Sequence, residues 1–469
     1  MKYLSHNKAS LALLFGALIF LNACKEKTDD PIPELSANAK VNTWIQEMMD
    51  TYYLWLGDMK NPIALDSDPE DYFESLLFRP TDRFSAIYPD YEELMRLLTG
   101  VSKEAGYEII LARESNINNN VIAFVTYTKK GSPAENKGMK RGDLITQING
   151  VRMNLDNYQE LLGLRSEAHT VSLFRYNEET NNYVALPPVD LTTEVLSENP
   201  NYIDTIYTIG NQKIGYFVYN FFAPGIEGQP SKYDNEMDAI FSKFKAGGIN
   251  HLILDLRYNG GGLVESTLNL GSLIAPGVTN TDVFFKRKYN SFLMSFDQFK
   301  NIQYEFESKP ENLGPILTGN RVYVITSSRT ASASELTING LKPYMDVFMV
   351  GGLTLGKNVG SIVIEDEENP ENKYGLIPIV HKSYNKNDQS DYSNGFQPNI
   401  QGNELSQPNL LPLGDTNEFL LKLTLEQITG IPSSDRVKLI DRIDLGSSIE
   451  NHPRFGKMID NKTKFNLKQ

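Results

Sequence analysis

From about Asn201 onward, apolar runs of strand length alternate with stretches of helical character: KIGYFVYNF, MDAIFSKFKAGG, HLILDL, LVESTLNLGSLI, RVYVIT, ASASELTINGL and DVFMVG, in that order. A chain that alternates in this way has few folds open to it. Each apolar strand needs cover on both faces, and the intervening helices supply it. The pattern therefore predicts an α/β domain over residues 196–446 with a largely parallel core sheet. Right-handed crossovers then bring the strand C-termini to one edge, where sites in such sheets are built. The stretch DTNEFLLKLTLEQITG predicts a closing helix, and residues 447–469 read as a polar tail.

Two segments of different texture precede this domain. In VNTWIQEMMDTYYLWLG, residues Trp44, Met48, Tyr52 and Trp55 recur at steps of three and four, which predicts an amphipathic helix. With DPEDYFESLLF and YEELMRLL it makes residues 36–100 a small helical cap whose aromatics are core. Residues 101–195 instead carry short β-rich runs, GYEIILAR, VIAFVTY, DLITQING and TVSLFRY, separated by turn residues.

Within that β domain, GSPAENKGMKRGDLITQINGVRM (residues 131–153) resembles a PDZ domain, with a small-residue helix, a GMKRGD turn, a strand and an NG hairpin turn. Such domains bind an extended peptide as an added strand and hold its terminal carboxylate in backbone N–H groups. The resemblance puts Gly106, Tyr107, Glu108 and Ile109 in that carboxylate loop. GYEI departs from the usual GLGF-like pattern, Glu108 adds a negative charge, and an ordinary strand start is the competing reading.

The chain of 469 residues has room for two to four domains, and its net charge of -14 disfavours nucleic acid as a partner. Five scattered histidines have no metal-site spacing, so no metal or other cofactor is expected. The one cysteine, Cys24, follows a basic start and the apolar run LALLFGALIFL, the anatomy of a signal peptide over residues 1–23. The closing LNAC resembles a bacterial lipobox, which implies a lipid anchor on Cys24, a tether over residues 24–35 and a place in a Gram-negative cell envelope. An uncleaved membrane anchor is the alternative, against which the shortness of the apolar run counts.

Two glycine- or alanine-flanked sites follow apolar strands in the α/β domain. DLRYNGGG (Asp255 to Gly262) lacks the GxGxxG and GxxxxGK[ST] patterns of phosphate loops, but adjacent glycines let backbone N–H groups approach a ligand as an oxyanion hole requires. TASASE places Ser332 at a helix start, where free N–H groups and the dipole favour developing negative charge. Ser332 and Ser334 also suit plain helix capping. Lys357, in the loop LTLGK after DVFMVG, leaves the same predicted sheet edge, and a desolvated lysine can act as general base toward a serine.

Behind a PDZ-like domain, DLRYNGGG, TASASE and GK in that order resemble the C-terminal processing peptidases, or tail-specific proteases. The resemblance implies a crotonase-like α/β core and a Ser/Lys dyad, with Ser332 as nucleophile and Lys357, 25 residues on, as base. It further implies an oxyanion hole from the Ala333 N–H and a glycine, Gly260 or Gly261, and a PDZ groove that engages substrate C-termini. Where the family often has glutamine or glutamate to orient the lysine, this chain has Ser361. The expected function is that of an envelope serine endopeptidase acting on protein or peptide substrates. A non-catalytic PDZ-bearing binding protein and an acyl transferase for another substrate class are the alternatives.

Overall fold

A computed structural model describes residues 35–114, 118–432 and 440–460. The signal segment and Cys24 lie outside the described residues, with all but the last residue of the tether. Among the described residues no helix is long and apolar enough to cross a membrane.

The N-terminal helices start where their caps stand. Ser36 accepts from the Ala39 N–H ahead of Ala37–Tyr52, Asp68 precedes a first-turn proline in Pro69–Leu76, and Asp90 caps Tyr91–Leu98. Trp44, Ile45, Met49, Tyr53, Tyr72 and Phe73 close into one cluster that also takes in Leu376 from the α/β domain. The strand Ala86–Tyr88 pairs antiparallel with Gly375–Ile377, so this cap is tied to the core rather than hinged from it.

The β domain is an antiparallel sheet whose strands include Tyr107–Arg113, Val121–Thr128, Leu144–Ile148 and His169–Asn177. Asn149 and Gly150 both take positive φ, 49° and 76°, in the NG turn that joins Leu144–Ile148 to Val151–Arg152. The helix Tyr158–Gly163 packs on this sheet through Leu161, which shares a core with Ile109, Leu111 and Val125.

Five parallel strands form the centre of the α/β domain, in the order Gln212–Tyr219, His251–Asp255, Arg321–Thr326, Asp346–Gly351 and Ile400–Gln401, with Asn201–Ile209 antiparallel at the edge. Helices Lys232–Ala246, Glu265–Ile274 and Ala333–Leu341 cover one face, where Phe241, Leu270 and Leu336 meet Phe217, Leu254 and Val324. Helix Phe419–Thr429 covers the other, with Leu421 and Leu425 on Tyr216 and Ile253. This is the two-sided cover that the alternation predicts.

Residues 447–460 are not a polar tail. Lys457–Ile459 is a buried strand in a second six-stranded sheet, parallel to Gly261–Leu263 on one side and to Val359–Ser361 on the other. Just before it, Asp444–Ser447 crosses to the PDZ-like sheet and pairs antiparallel with Tyr107–Arg113, so the boundary read at 446 cuts a strand. Each strand is only three or four residues long, too short for periodicity to register, and is made by partners from about a hundred to more than three hundred positions away in sequence.

Candidate active site

Strands Arg321–Thr326 and Asp346–Gly351 lie side by side with Thr326 opposite Gly351, and both continue off the same sheet edge. The first leads through SSRT to Ser332 and helix Ala333–Leu341, the second through Gly352–Gly356 to Lys357. Ser332 sits at φ 61° and ψ -108°, a conformation sterically costly for a residue with a Cβ. Its hydroxyl is buried and has no hydrogen-bond partner among the described residues. Ser334, by contrast, donates from Oγ to the Asn259 carbonyl (3.0 Å), which commits it to holding two loops together.

The DLRYNGGG loop is fixed by a buried ionic network. Arg257 pairs with Asp255 (2.8 Å) and Glu418 (2.6 Å), the Tyr258 hydroxyl donates to Glu404, and Arg141 of the GMKRGD turn reaches the same Glu404 (2.6 Å). Gly261 then passes directly under the serine: at φ 109°, a Cβ there would stand 2.9 Å from Ser332 Cβ and 2.4 Å from the Lys457 carbonyl oxygen. The Gly261 N–H donates to Asn259 Oδ1 (3.0 Å), while the Gly260 carbonyl accepts from the Gly456 N–H (2.7 Å). Ala333 is the first residue of its helix, so its N–H has no intrahelical acceptor and is available beside Ser332.

Lys357 is fully buried, with its ammonium position 4.8 Å from the Phe84 ring centroid. Desolvation, with the nearby Lys457 charge, pushes its pKa well below that of an ordinary lysine, against the opposing pull of Asp82 and Glu335. Lys457 is itself buried and shifted down to about 8, chiefly by desolvation. Lys357 Nζ donates to the Gly456 carbonyl at 2.5 Å. A neutral amine that gives one hydrogen to Gly456 keeps a lone pair, which an ammonium lacks.

Ser361 is buried in strand Val359–Ser361, and its Oγ has no partner among the described residues. The group that Lys357 engages is therefore a backbone carbonyl from the C-terminal segment. His381, across the ladder from Gly360, is buried with neither ring nitrogen hydrogen-bonded among the described residues. Burial and the Arg287 charge hold its pKa well below the usual imidazole range. Gly456, Lys457 and His381 escape a reading of the sequence because no motif marks them, and Asn259 lies within DLRYNGGG without a pattern that gives it a role. Glu335 had one signal, its position three residues after a helix-start serine.

In the PDZ-like domain, Gly106 has φ 80° and a Cβ there would overlap Ser132. Tyr107 is buried and donates from its hydroxyl to His169 Nε2 (2.8 Å). Burial alone would raise the Glu108 carboxyl, but His452 (2.8 Å) and Lys129 (3.2 Å) hold it well below the usual range, so its charge is matched inside the protein. The Ile109 N–H donates to Ser448 Oγ (2.8 Å) and is not free for a ligand. Strand Asp444–Ser447 takes the outer edge of Tyr107–Arg113, running antiparallel as an added peptide would. A cleft of about 680 Å³ remains beside it, bounded by Gly106, Glu108, Leu111, Tyr158 and Arg165.

The geometry is matched by what the chain resembles. Residues 40–86 match the Peptidase S41 N-terminal domain, residues 124–173 a PDZ domain, and residues 213–401 Peptidase family S41. The chain is 24% identical over 351 residues to a protein named "Probable CtpA-like serine protease" in Staphylococcus aureus strain COL, covering 73% of this chain and 61% of that protein. A protein of the same name in Staphylococcus epidermidis strain ATCC 35984 is 23% identical over 314 residues, 65% of this chain and 56% of the relative. The chain thus spans between half and two thirds of the length of these relatives. A crystal structure from Bacteroides fragilis NCTC 9343, assigned to the S41 proteases, superposes with a TM-score of 0.68 at 29% identity over 83% of this chain and 98% of that one. With an N-terminal domain, a PDZ domain and an α/β core matched in that order, the chain belongs to peptidase family S41.

Proposed function

We propose that this chain is a serine endopeptidase in which Ser332 is the nucleophile and Lys357 the general base. The observation that carries the reading is the amine: Lys357 is buried, its proton affinity is depressed by desolvation, and one of its hydrogens is spent on the Gly456 carbonyl. As Ser332 Oγ attacks the scissile carbonyl carbon, its proton passes to Nζ and the carbonyl oxygen becomes an oxyanion. The Ala333 N–H and the glycine loop at Gly260–Gly261 receive that charge. Collapse breaks the C–N bond, and Lys357 returns the proton to the departing amine. Water, deprotonated by the same lysine, then attacks the acyl carbon, the Ser332 Oγ–carbon bond breaks, and the proton returns from Lys357 to Oγ.

The PDZ cleft left open beside strand Asp444–Ser447 is the proposed docking place for substrate C-termini, with Gly106 and Tyr107 in its lining. Cys24 is the proposed site of a lipid anchor that would hold the enzyme in the cell envelope. Incubating the chain with an unfolded protein and reading fragments by mass spectrometry tests the peptidase. Cleavage abolished by Ser332→Ala supports it. Absence of cleavage together with retained peptide binding would favour a binding protein.

A further inference from the structure

Glu335 is buried one turn into helix Ala333–Leu341. Its carboxylate accepts four hydrogen bonds. Oε2 takes the backbone N–H groups of Ser332 (2.8 Å) and Lys357 (2.8 Å), and Oε1 takes the Gly356 N–H (2.7 Å) and the Thr354 hydroxyl (2.5 Å). A single oxygen thus lies between the backbone nitrogens of the nucleophile and the lysine. Helix capping would use the first of these donors only. The other three come from the loop that carries Lys357 and add nothing to the helix.

The partners also fix the charge. Both backbone contacts of Oε2 and the Gly356 contact of Oε1 are N–H donors. The Thr354 hydroxyl accepts from the Phe396 N–H (2.7 Å) and so turns its own proton toward Glu335. Three of the four partners are backbone N–H groups, which can only donate, and this donor set is the one an anion requires. Burial pushes its pKa up, and the bonds from Thr354, Lys357, Ser332 and Gly356 pull against that. The charged and titratable groups that face Lys357 are then Lys457, Asp82, Glu335 and His381, and Tyr392 also faces Glu335.

We infer that Glu335 is a positioning residue that clamps the nucleophile turn to the lysine loop and places an anion beside the Lys357 amine. The inference rests on the Ser332/Lys357 reading above. The clamp also accounts for how Ser332 persists at a positive φ. Its N–H is held from one side by Glu335, while Ala331 before it is held by the Asn259 carbonyl (3.1 Å).

Two variants separate charge from geometry: Glu335→Gln is nearly isosteric but neutral and sets an NH2 group against N–H donors, whereas Glu335→Asp keeps the anion on a shorter stem. Steady-state hydrolysis of a fluorogenic peptide, followed from pH 6 to 10 beside thermal melting, is the measurement. Glu335→Gln should lower kcat by about a hundredfold with little change in KM, the scale of a misplacement near 1 Å. Its kcat/KM midpoint should move to lower pH, because removing an anion beside an amine makes the ammonium less stable. Glu335→Asp should lose part of kcat while its midpoint stays near the wild-type value, and it carries the test if Glu335→Gln does not fold. A folded Gln variant with full kcat, a kcat loss with an unmoved midpoint, or an Asp variant whose midpoint falls would overturn the clamp. A wild type that keeps its activity on Lys357→Arg, or has none to lose, removes the dyad itself and the clamp with it.

Discussion

Lys357 Nζ and the carbonyl oxygen of Gly456 lie 2.5 Å apart, which ties the proposed base to a segment 99 residues further along the chain. The same glycine donates its N–H to Gly260, so one residue near the C-terminus touches both halves of the proposed catalytic apparatus. Ending the chain at residue 446 removes that link and the strand Lys457–Ile459. The expected result is loss of peptidase activity together with a lower melting temperature. A truncated protein that cleaves at the wild-type rate would return residues 447–460 to the status of a tail.

Lys357 costs the fold stability. A base whose pKa is depressed on folding binds more protons when unfolded, so stability falls as pH drops from the unfolded value near 10.5 toward the folded value and levels off below it. Lys457, at about 8 when folded, adds to the same slope between about pH 8 and 10.5. Lys357→Met should therefore be inactive yet more stable at pH 7. Denaturant titration of both proteins checks this, and a destabilised Met variant would speak against a neutral buried amine.

Gly261 has no room for a methyl group and holds φ 109°. Gly261→Ala should cost roughly 1–3 kcal/mol and displace either Ser332 or the Lys457 carbonyl, with activity falling more than stability alone explains. Chemical denaturation beside peptide hydrolysis measures both, and wild-type values in both would show the loop to be looser than its contacts imply.

Peptides that add to the PDZ-like sheet at the edge of Tyr107–Arg113 would have to displace strand Asp444–Ser447 from the same backbone groups. Ser448 fastens the segment by accepting from the Ile109 N–H and donating to Glu108. Ser448→Ala should loosen it and tighten binding of a labelled peptide with a free C-terminus several-fold, read by fluorescence anisotropy. Unchanged affinity would mean that peptides do not use that edge.

The parallel sheet was legible because buried strands between helices leave continuous apolar runs, as in HLILDL and RVYVIT. The positions of Ser332 and Lys357 were legible because strand order brings both loops to one edge. What orients the lysine was not. Ser361 occupies the place where the family resemblance looks for an orienting side chain, and the bond goes instead to a carbonyl, which every residue carries and no sequence pattern marks. Glu108 looked out of place in a carboxylate loop for a related reason, since its compensating partners, Lys129 and His452, come from a separate strand end and from the far C-terminal segment.

Transfer of the Ser332 proton to a neutral Lys357 can be followed by acylation at the atom concerned. Wild type, Ser332→Ala and Lys357→Arg are mixed with an activated peptide ester, quenched, digested and read by mass spectrometry across pH 6–10. Arginine keeps the positive charge but cannot become a free base in this range. An acyl adduct is expected on Ser332 in the wild type alone, with a yield that rises with pH to a midpoint below the ordinary lysine value near 10.4. Efficient acylation of Ser332 in folded Lys357→Arg, or an adduct on Ser334 in its place, would contradict it.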